Sequence, residues 1–382
     1  MTLNDNKRRV PLCISTVGDA ELAAVSDVLK SGWLAHGKKN VEFEEAFCEL
    51  IKVRHAVSLN SCTSGIQLGL EAMGVTGEVI VPSFSFVATA NAVVTAGATP
   101  VFADIDPETR CISPDSIEAL VSPQTEAIIP VHYSGLPADM ESIKALADRN
   151  GLRIIEDSAE CLGSTCHGRI AGSYDVGCFS FFPTKNITTG EGGMLTTNDD
   201  DIALRVRTLA AHGINTTTHA REKTERPWHR SASVAGYNFR MSNVLAAIGA
   251  EQMKKLEGTL KRRREIAAYY NKRLSNIDGL VTPITPDGFT HSWQMYTITV
   301  HQGIRNDFLI FLRDRGVEAS VHFDPPIHEQ QPYRNARRDG NLEHTGVIAR
   351  SIVTLPMYPA MQTDDIEWVC ESILAFLGLS GR

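Results

Sequence analysis

The chain has 382 residues, 43% apolar and 21% charged, with a net charge of −8. That length exceeds one small core and favours two domains, and the acidic balance argues against a broad nucleic-acid or anionic-membrane surface. No stretch approaches the ~20 apolar residues of a membrane span. The N-terminus has no apolar run of signal-peptide length, and the eight cysteines are scattered without a CxxC, as expected for reduced core thiols in a cytoplasmic protein.

Residues 19–31 read as an amphipathic helix, with Leu22, Val25, Val28 and Leu29 at helical spacing. It stops at Gly32-Trp33. A basic turn, His36-Gly37-Lys38-Lys39, leads to a second helix over 41–51, with Phe43, Phe47 and Leu50 on one face. Lys38 and Lys39 fit either a solvated turn or a grip on a phosphorylated ligand. Residues 56–59 form a short strand. Asn60-Ser61-Cys62-Thr63-Ser64-Gly65 follows, then a helix over 66–73. Small hydroxyl residues between strand and helix suit an anion site, because the free N–H groups and dipole of the first turn face the anion. They equally suit an ordinary N-cap at Ser61 or Thr63.

A strand over 78–82 runs into Ser83-Phe84-Ser85-Phe86 and a helix over 87–96. Next come a strand over 98–103, a helix over 114–120 capped by Ser113, a strand over 127–131, a helix over 140–150 and a strand over 152–155. The strands are continuous apolar runs alternating with helices. That is the pattern of an α/β fold with a parallel sheet covered on both faces. In such sheets the chemistry lies at the carboxyl ends of the strands. The run Ile154-Ile155-Glu156-Asp157-Ser158-Ala159-Glu160 puts carboxylates at one such end. Asp157 fits a helix N-cap or an acid paired with a cationic ring nitrogen. A metal role is disfavoured, since no His or Cys stands nearby at ligand spacing.

Residues 178–194 read CFSFFPTKNITTGEGGM. An apolar strand (Phe179, Phe181, Phe182) ends at a lone Lys185, a glycine-rich turn covers 188–193, and a second strand begins at Met194. A lysine whose stem lies among aromatics is expected to favour the neutral, nucleophilic amine of a Schiff-base lysine. The alternative is a solvated loop lysine. After a helix over 202–210, the polar segment 211–230 reads as a functional loop. Gly236-Tyr237-Asn238-Phe239-Arg240 leads into a long helix over 243–274, whose basic second half reads as a solvated face. Beyond it come a half-exposed strand over 295–300, a helix over 305–315, a strand over 317–322 and a helix over 364–376, a smaller α+β domain.

Amine, acid, ring and hydroxyl donors at strand ends together suit pyridoxal phosphate. That cofactor needs an amine for its aldehyde, an acid for its pyridine nitrogen, a ring to stack on and donors for its phosphate. The runs Ser31-Gly32-Trp33, NSCTSG, PSFSFVATANAV, GATPVFADIDP, IIEDSAE, FSFFPTKNITTGEGGM and GYNFRMSN span nearly the whole chain. On these residues the sequence resembles the DegT/DnrJ/EryC1/StrS sugar aminotransferases of fold-type I, and among them the perosamine-type 4-amino sugar synthases. The resemblance implies a large cofactor-binding α/β domain over 1–255, with a mostly parallel sheet between helices, and a small C-terminal α+β domain over 256–382.

It also implies roles. Lys185 would bind pyridoxal 5'-phosphate (PLP) and carry the proton. Asp157 would pair with the pyridine nitrogen, Phe86 would stack on the ring, and Thr63, Ser64 and Ser180 would hold the phosphate. Asn238 would reach the phosphate of a neighbouring subunit, giving a homodimer with active sites at the interface. Arg240 is a candidate for a substrate or donor carboxylate. His322, His328 and the loop 211–230 are candidate sugar-nucleotide contacts. Glu160 stands where many members carry Gln or His beside the cofactor's 3-oxygen, which an ionised Glu would repel unless protonated or turned away. Glu160 and the TTGEGGM run lean towards the 4-amino branch.

The reaction implied is a ping-pong transamination. L-glutamate would convert the cofactor to its pyridoxamine form (PMP), which would aminate a nucleotide-linked 4-keto-6-deoxy sugar for polysaccharide, glycan or antibiotic biosynthesis. A 3-keto sugar, an amino-cyclitol ketone and a non-catalytic sensor are the alternatives. Lys185 argues against the related dehydratases, which carry histidine there. Among GDP, UDP and dTDP, the perosamine-type resemblance leans towards GDP.

Overall fold

The computed structural model describes residues 8–214, 228 and 230–379. Two helices open it, α1 (Asp19–Ser31) and α2 (Lys38–Ile51). Then strands and helices alternate: β1 (His55–Leu59), α3 (Cys62–Met73), β2 (Glu78–Pro82), α4 (Ala88–Thr95), β3 (Thr99–Ala103), α5 (Pro114–Leu120), β4 (Thr125–Ile128), α6 (Met140–Asn150) and β5 (Arg153–Asp157). A small hairpin, β6 (Thr165–Cys166) and β7 (Arg169–Ile170), precedes β8 (Val176–Ser180), β9 (Gly193–Thr197) and α7 (Asp200–Ala210). The long α8 (Asn243–Leu274) leads to β10 (Leu280–Val281), β11 (Tyr296–Val300), α9 (Arg305–Asp314), α10 (Glu343–Ser351), β12 (Ile352–Leu355) and α11 (Thr363–Phe376).

Local chemistry sets several of these bounds. Gly32, at φ 73°, ends α1 in the left-handed region open to glycine. Ser113 Oγ accepts the N–H of Ser116, and Pro114 occupies the first helical position of α5, where its missing N–H costs nothing.

The main sheet has seven strands in the order β1-β9-β8-β5-β4-β2-β3. All are parallel except β9, which runs against both β1 and β8. Side chains alternate across it with period two. Val79 and Val81 of β2 join one core with α3, α4 and α7, whereas Ile80 joins the other with α5 and α6. Phe179 and Phe181 of the β8 run pack with Phe43 and Phe47 of α2 in a further core. The small antiparallel sheet β10-β11-β12 carries its own core. The helix α8 runs unbroken through residues 255 and 256 and packs on α1 and α2.

Three expectations change. Lys38 and Lys39 lie inside the first turn of α2 rather than in a loop, and Lys39 Nζ meets Glu42 at 2.6 Å. The strand over 295–300 is not half-exposed, because its polar Thr297 is buried too, its hydroxyl and carbonyl taken by Arg110. No strand forms over 317–322: Val317 bridges to Val10 and Ser320 to Thr354, so the pairing partner changes before a ladder can run. No described helix is long and apolar enough to cross a membrane. Among the described residues, no group of three or more His, Cys, Asp or Glu could hold a metal ion.

Candidate active site

Because β8 and β9 are antiparallel neighbours, they need no crossover helix, only a loop. That loop lies at the carboxyl end of β8, where the parallel strands β2 and β5 also end. It is wound on itself: Phe181 N–H donates to Gly192 O, Thr188 Oγ1 to Phe181 O and Thr189 Oγ1 to Glu191 O. Gly193 admits a close approach. A Cβ there would lie 2.3 Å from the carbonyl carbon of Ser61, at the start of α3. The glycine thus lets β9 pass against the strand-to-helix turn.

The loop presents Lys185 to a cavity of about 370 Å³. Gln294 Nε2 donates to the carbonyl of Thr184 (2.7 Å), and Lys185 N–H donates to Phe182 O (2.9 Å), which fixes the lysine backbone. Nζ donates to Glu160 Oε1 at 3.3 Å, and the Lys185 side chain is 16% exposed. Of the three phenylalanines expected around the stem, one lines the cavity. Phe179 and Phe181 face the opposite core, leaving Phe182 in the cavity wall. The amine's named partner is a carboxylate. Glu160 Oε2 in turn accepts the N–H of Ser134 (2.9 Å).

Asp157 ends β5 and is buried in the same wall. No helix follows it, so it caps none. Oδ2 accepts Thr89 Oγ1–H at 2.8 Å, and Oδ1 accepts Ala159 N–H at 3.2 Å. Burial pushes its carboxyl above the ordinary value, while the bonds from Thr89 and Ala159 pull the other way. Phe86 lines the cavity with 61% of its surface exposed, a ring face open to a ligand.

At the start of α3 the two sequence readings divide between residues. Ser61 is the N-cap, its Oγ accepting Ser64 N–H at 3.1 Å. Cys62 and Thr63, in the first turn, face the cavity. The first N–H groups of a helix lack intrahelical partners, and the dipole favours an anion there. Ser180 lines the cavity on the other side. His322 lines it as well, with Nδ1 2.9 Å from Thr354 Oγ1, and burial lowers its pKa.

Four named residues lie outside this wall. Ser64 turns its hydroxyl to Ser61, 2.9 Å away. His328 is buried against Ser83, whose Oγ is 2.6 Å from Nδ1, and does not line the cavity. Arg240 donates to Asn238 Oδ1 at 3.1 Å, and both sit on the segment that bridges the end of β1. Residues 215–227 and 229 of the expected contact loop lie outside the described residues. Sequence reasoning missed Ser85, Thr89, Gln294 and Thr354, which all line the cavity. The i,i+4 spacing of Ser85 and Thr89 after a strand end is the one signal that could have found a pair of them.

Known proteins share this sequence pattern and fold. The model of the DegT/DnrJ/EryC1/StrS aminotransferase family matches residues 15–374. The spore coat polysaccharide biosynthesis protein SpsC of Bacillus subtilis (strain 168) is 37% identical over 373 residues, 95% of this chain and 96% of its own. Among solved structures, the aminotransferase TlmJ of Streptoalloteichus hindustanus is 35% identical with a TM-score of 0.90, covering 97% of this chain and 99% of its own. DesI, solved with its TDP-sugar product, is 34% identical with a TM-score of 0.86, covering 96% and 92%. NtdA of Bacillus subtilis, solved with the cofactor PMP, is 29% identical with a TM-score of 0.85, covering 94% and 81%. A fold-type I architecture, a lysine and an aspartate at adjoining strand ends, and a family match over nearly the full length lead to one conclusion: the chain belongs to the DegT/DnrJ/EryC1/StrS aminotransferase family.

Proposed function

We propose that this enzyme moves the amino group of L-glutamate onto the keto carbon of a nucleotide-linked 4-keto-6-deoxy sugar. The protein is a PLP-dependent sugar aminotransferase. The observation that supports transamination in this cavity is the convergence of Lys185, Asp157, Phe86, Ser180 and the start of α3 on it.

These groups fit the cofactor by their chemistry: an amine, a buried carboxylate, an open aromatic face and a helix N-terminus. When bound, the cofactor supplies an aldehyde that carries the amine and a cationic ring that takes up electron density released at the substrate carbon. Asp157 would hold the ring nitrogen's proton, its own carboxylate kept in place by Thr89 and Ala159. Lys185 Nζ would hold the cofactor and then move the proton at the reacting carbon. Phe86 would stack on the ring, worth about 0.5–1.5 kcal/mol beyond area burial. Thr63, Ser180 and the first N–H groups of α3 would hold the phosphate. The first turn that Ser61 and Ser64 cap together keeps those groups aligned.

Glu160 pairs with Lys185 and Ser134 in this chain, which supports its being turned from the cofactor oxygen it would otherwise repel. Asn238 and Arg240 lie outside their own chain's cavity, which supports a role towards a second copy in a homodimer. The TDP-sugar product in DesI and the polysaccharide pathway of SpsC support a nucleotide sugar as acceptor and a polysaccharide as destination. The test is a panel of GDP-, UDP- and dTDP-linked 3-keto and 4-keto sugars, with L-glutamate as donor and product mass as readout. Amination of a 4-keto-6-deoxy member is expected. Amination confined to 3-keto members, or none with glutamate, overturns the reading.

A further inference from the structure

From the run PSFSFVATANAV, the reading above uses only Phe86. Two hydroxyls beside it have no part in holding the fold by local contacts. Helix α4 starts without a side-chain cap, and the side-chain partners of Thr89 Oγ1 are Ser85 and Asp157, not the helix backbone. Ser85, Thr89 and Asp157 are all buried and all line the cavity. Thr89 Oγ1 lies 2.8 Å from Asp157 Oδ2, and Ser85 Oγ lies 2.9 Å from Thr89 Oγ1.

The donor order follows from counting protons. An ionised carboxylate only accepts, so the single Thr89 proton goes to Asp157. The Ser85 proton then goes to Thr89. The terminal torsion of an aspartate is broad, and one bond leaves the plane of the carboxylate free to turn. Here each oxygen has its own donor, Thr89 Oγ1–H on Oδ2 and Ala159 N–H on Oδ1, with Cys62 Sγ 3.9 Å from Oδ1.

We propose that Ser85 and Thr89 form a hydroxyl relay that fixes the plane and the negative charge of Asp157, which makes Thr89 a positioning residue for the cofactor's ring nitrogen. The inference rests on the reading of Asp157 given above. The groups that act on this carboxylate are known from every side. Burial raises its pKa, Lys185 and the bonds from Thr89 and Ala159 lower it, and Glu160 raises it. Cys62 of α3 and Cys178 of β8 face it as neutral thiols, their pKa values raised by burial. His132 meets it through the backbone and turns its ring to Glu156. Losing the Thr89 donor raises the carboxyl further, so Asp157 takes up its proton at a higher pH and the pairing with the ring is lost earlier as pH falls.

The experiment measures cofactor dissociation against pH for wild type, Thr89→Val, Thr89→Ser, Ser85→Ala and Asp157→Asn, with thermal melts as fold controls. A hydrogen bond to a charged group predicts at least about a tenfold weaker cofactor in Thr89→Val. Its acid limb should also move to higher pH. Thr89→Ser should restore both, and Ser85→Ala should move the limb the same way by less. Cofactor affinity that falls equally at all pH values in Thr89→Val, or stays at the wild-type level, overturns the inference, as does failure of the serine to rescue. If the valine protein does not fold, an unmoved acid limb in Ser85→Ala overturns the relay. An Asp157→Asn protein with wild-type cofactor affinity instead overturns the underlying reading of Asp157. Strong loss in Asp157→Asn with none in Thr89→Val removes only the relay.

Discussion

Glu156 is fully buried, yet its carboxylate accepts three hydrogen bonds. Oε2 takes Gly172 N–H at 2.8 Å and His132 Nε2–H at 2.9 Å, and Oε1 takes Tyr174 N–H at 2.8 Å. His132 Nδ1 accepts Ala138 N–H at 3.1 Å, so the ring proton sits on Nε2. Strand alternation turns Glu156 away from its neighbour Asp157, and so towards this network rather than the cavity. Glu156→Ala strands all three donors. At about 1–3 kcal/mol for each buried unsatisfied donor, and with partial relaxation, the loss is roughly 3–5 kcal/mol. For 382 residues unfolding as one unit, ~2.1 cal/mol/K per residue gives about 0.8 kcal/mol/K, so Tm falls by about 4–6 °C. Glu156→Gln keeps an oxygen for Gly172 and His132 and turns its amide to Tyr174. It loses one bond, about 1–3 kcal/mol or 1–4 °C. Calorimetry of the cofactor-loaded protein decides between them. A Glu156→Ala midpoint within about 1 °C of wild type, or a glutamine variant as damaged as the alanine one, refutes this account of the network.

Lys185→Ala should lower transamination at least about 10²-fold and abolish the cofactor's lysine-dependent absorbance band; cycling at the normal rate would sink the lysine assignment. Glu44 tests the acid limb of stability. Burial opposes its charge, but bonds from His36, Arg207 and Ser58 prevail and hold its pKa at about 2, against an ordinary 4.5. A depressed carboxyl stabilises above its unfolded pKa and loses that contribution as pH falls through the folded one. Stability should therefore drop between pH 4.5 and about 2, and Glu44→Gln should flatten that slope in acid denaturation; an unchanged slope removes Glu44 as the cause. For the shared-site homodimer, inactive Asn238→Ala and Lys185→Ala proteins should recover on mixing towards about a quarter of wild-type activity, because half of a mixed dimer's sites carry neither change. No recovery from exchanged subunits counts against a site built from two chains.

Much of the fold was legible because its signals are local. Gly32 stops α1, Ser113 and Pro114 open α5, and Ser242 opens α8, accepting Leu245 N–H with its hydroxyl. The direction of β9 was not legible, since a short strand-like run such as Met194 to Thr197 carries no mark of which way it pairs. Nor was the burial of Thr297. Its polar face reads as exposed until Arg110, far off in sequence, reaches it. The segment 317–322 has strand composition, but Val10 and Thr354 take its two ends separately.

The site divides along the same line. Lys185, Asp157 and Phe86 could be placed because each follows an apolar run, and a parallel sheet gathers such ends. What the chain could not disclose is how each is held. The aromatics beside Lys185 suggested an apolar pocket for its amine, but period-two alternation sends Phe179 and Phe181 to the far core and leaves the amine facing Glu160. The same residue that looked like a departure from the family's Gln or His is thus the lysine's partner. It is tied on its other oxygen to Ser134, a non-glycine residue at φ 59°. A glutamine at 160 can accept from Ser134 or from Lys185 with its one oxygen, but it then presents an amide N–H₂ to the other donor. The lysine is therefore set by a charge that an amide cannot copy. Glu160→Gln should weaken that hold, read as a shifted pH dependence of cofactor binding to Lys185.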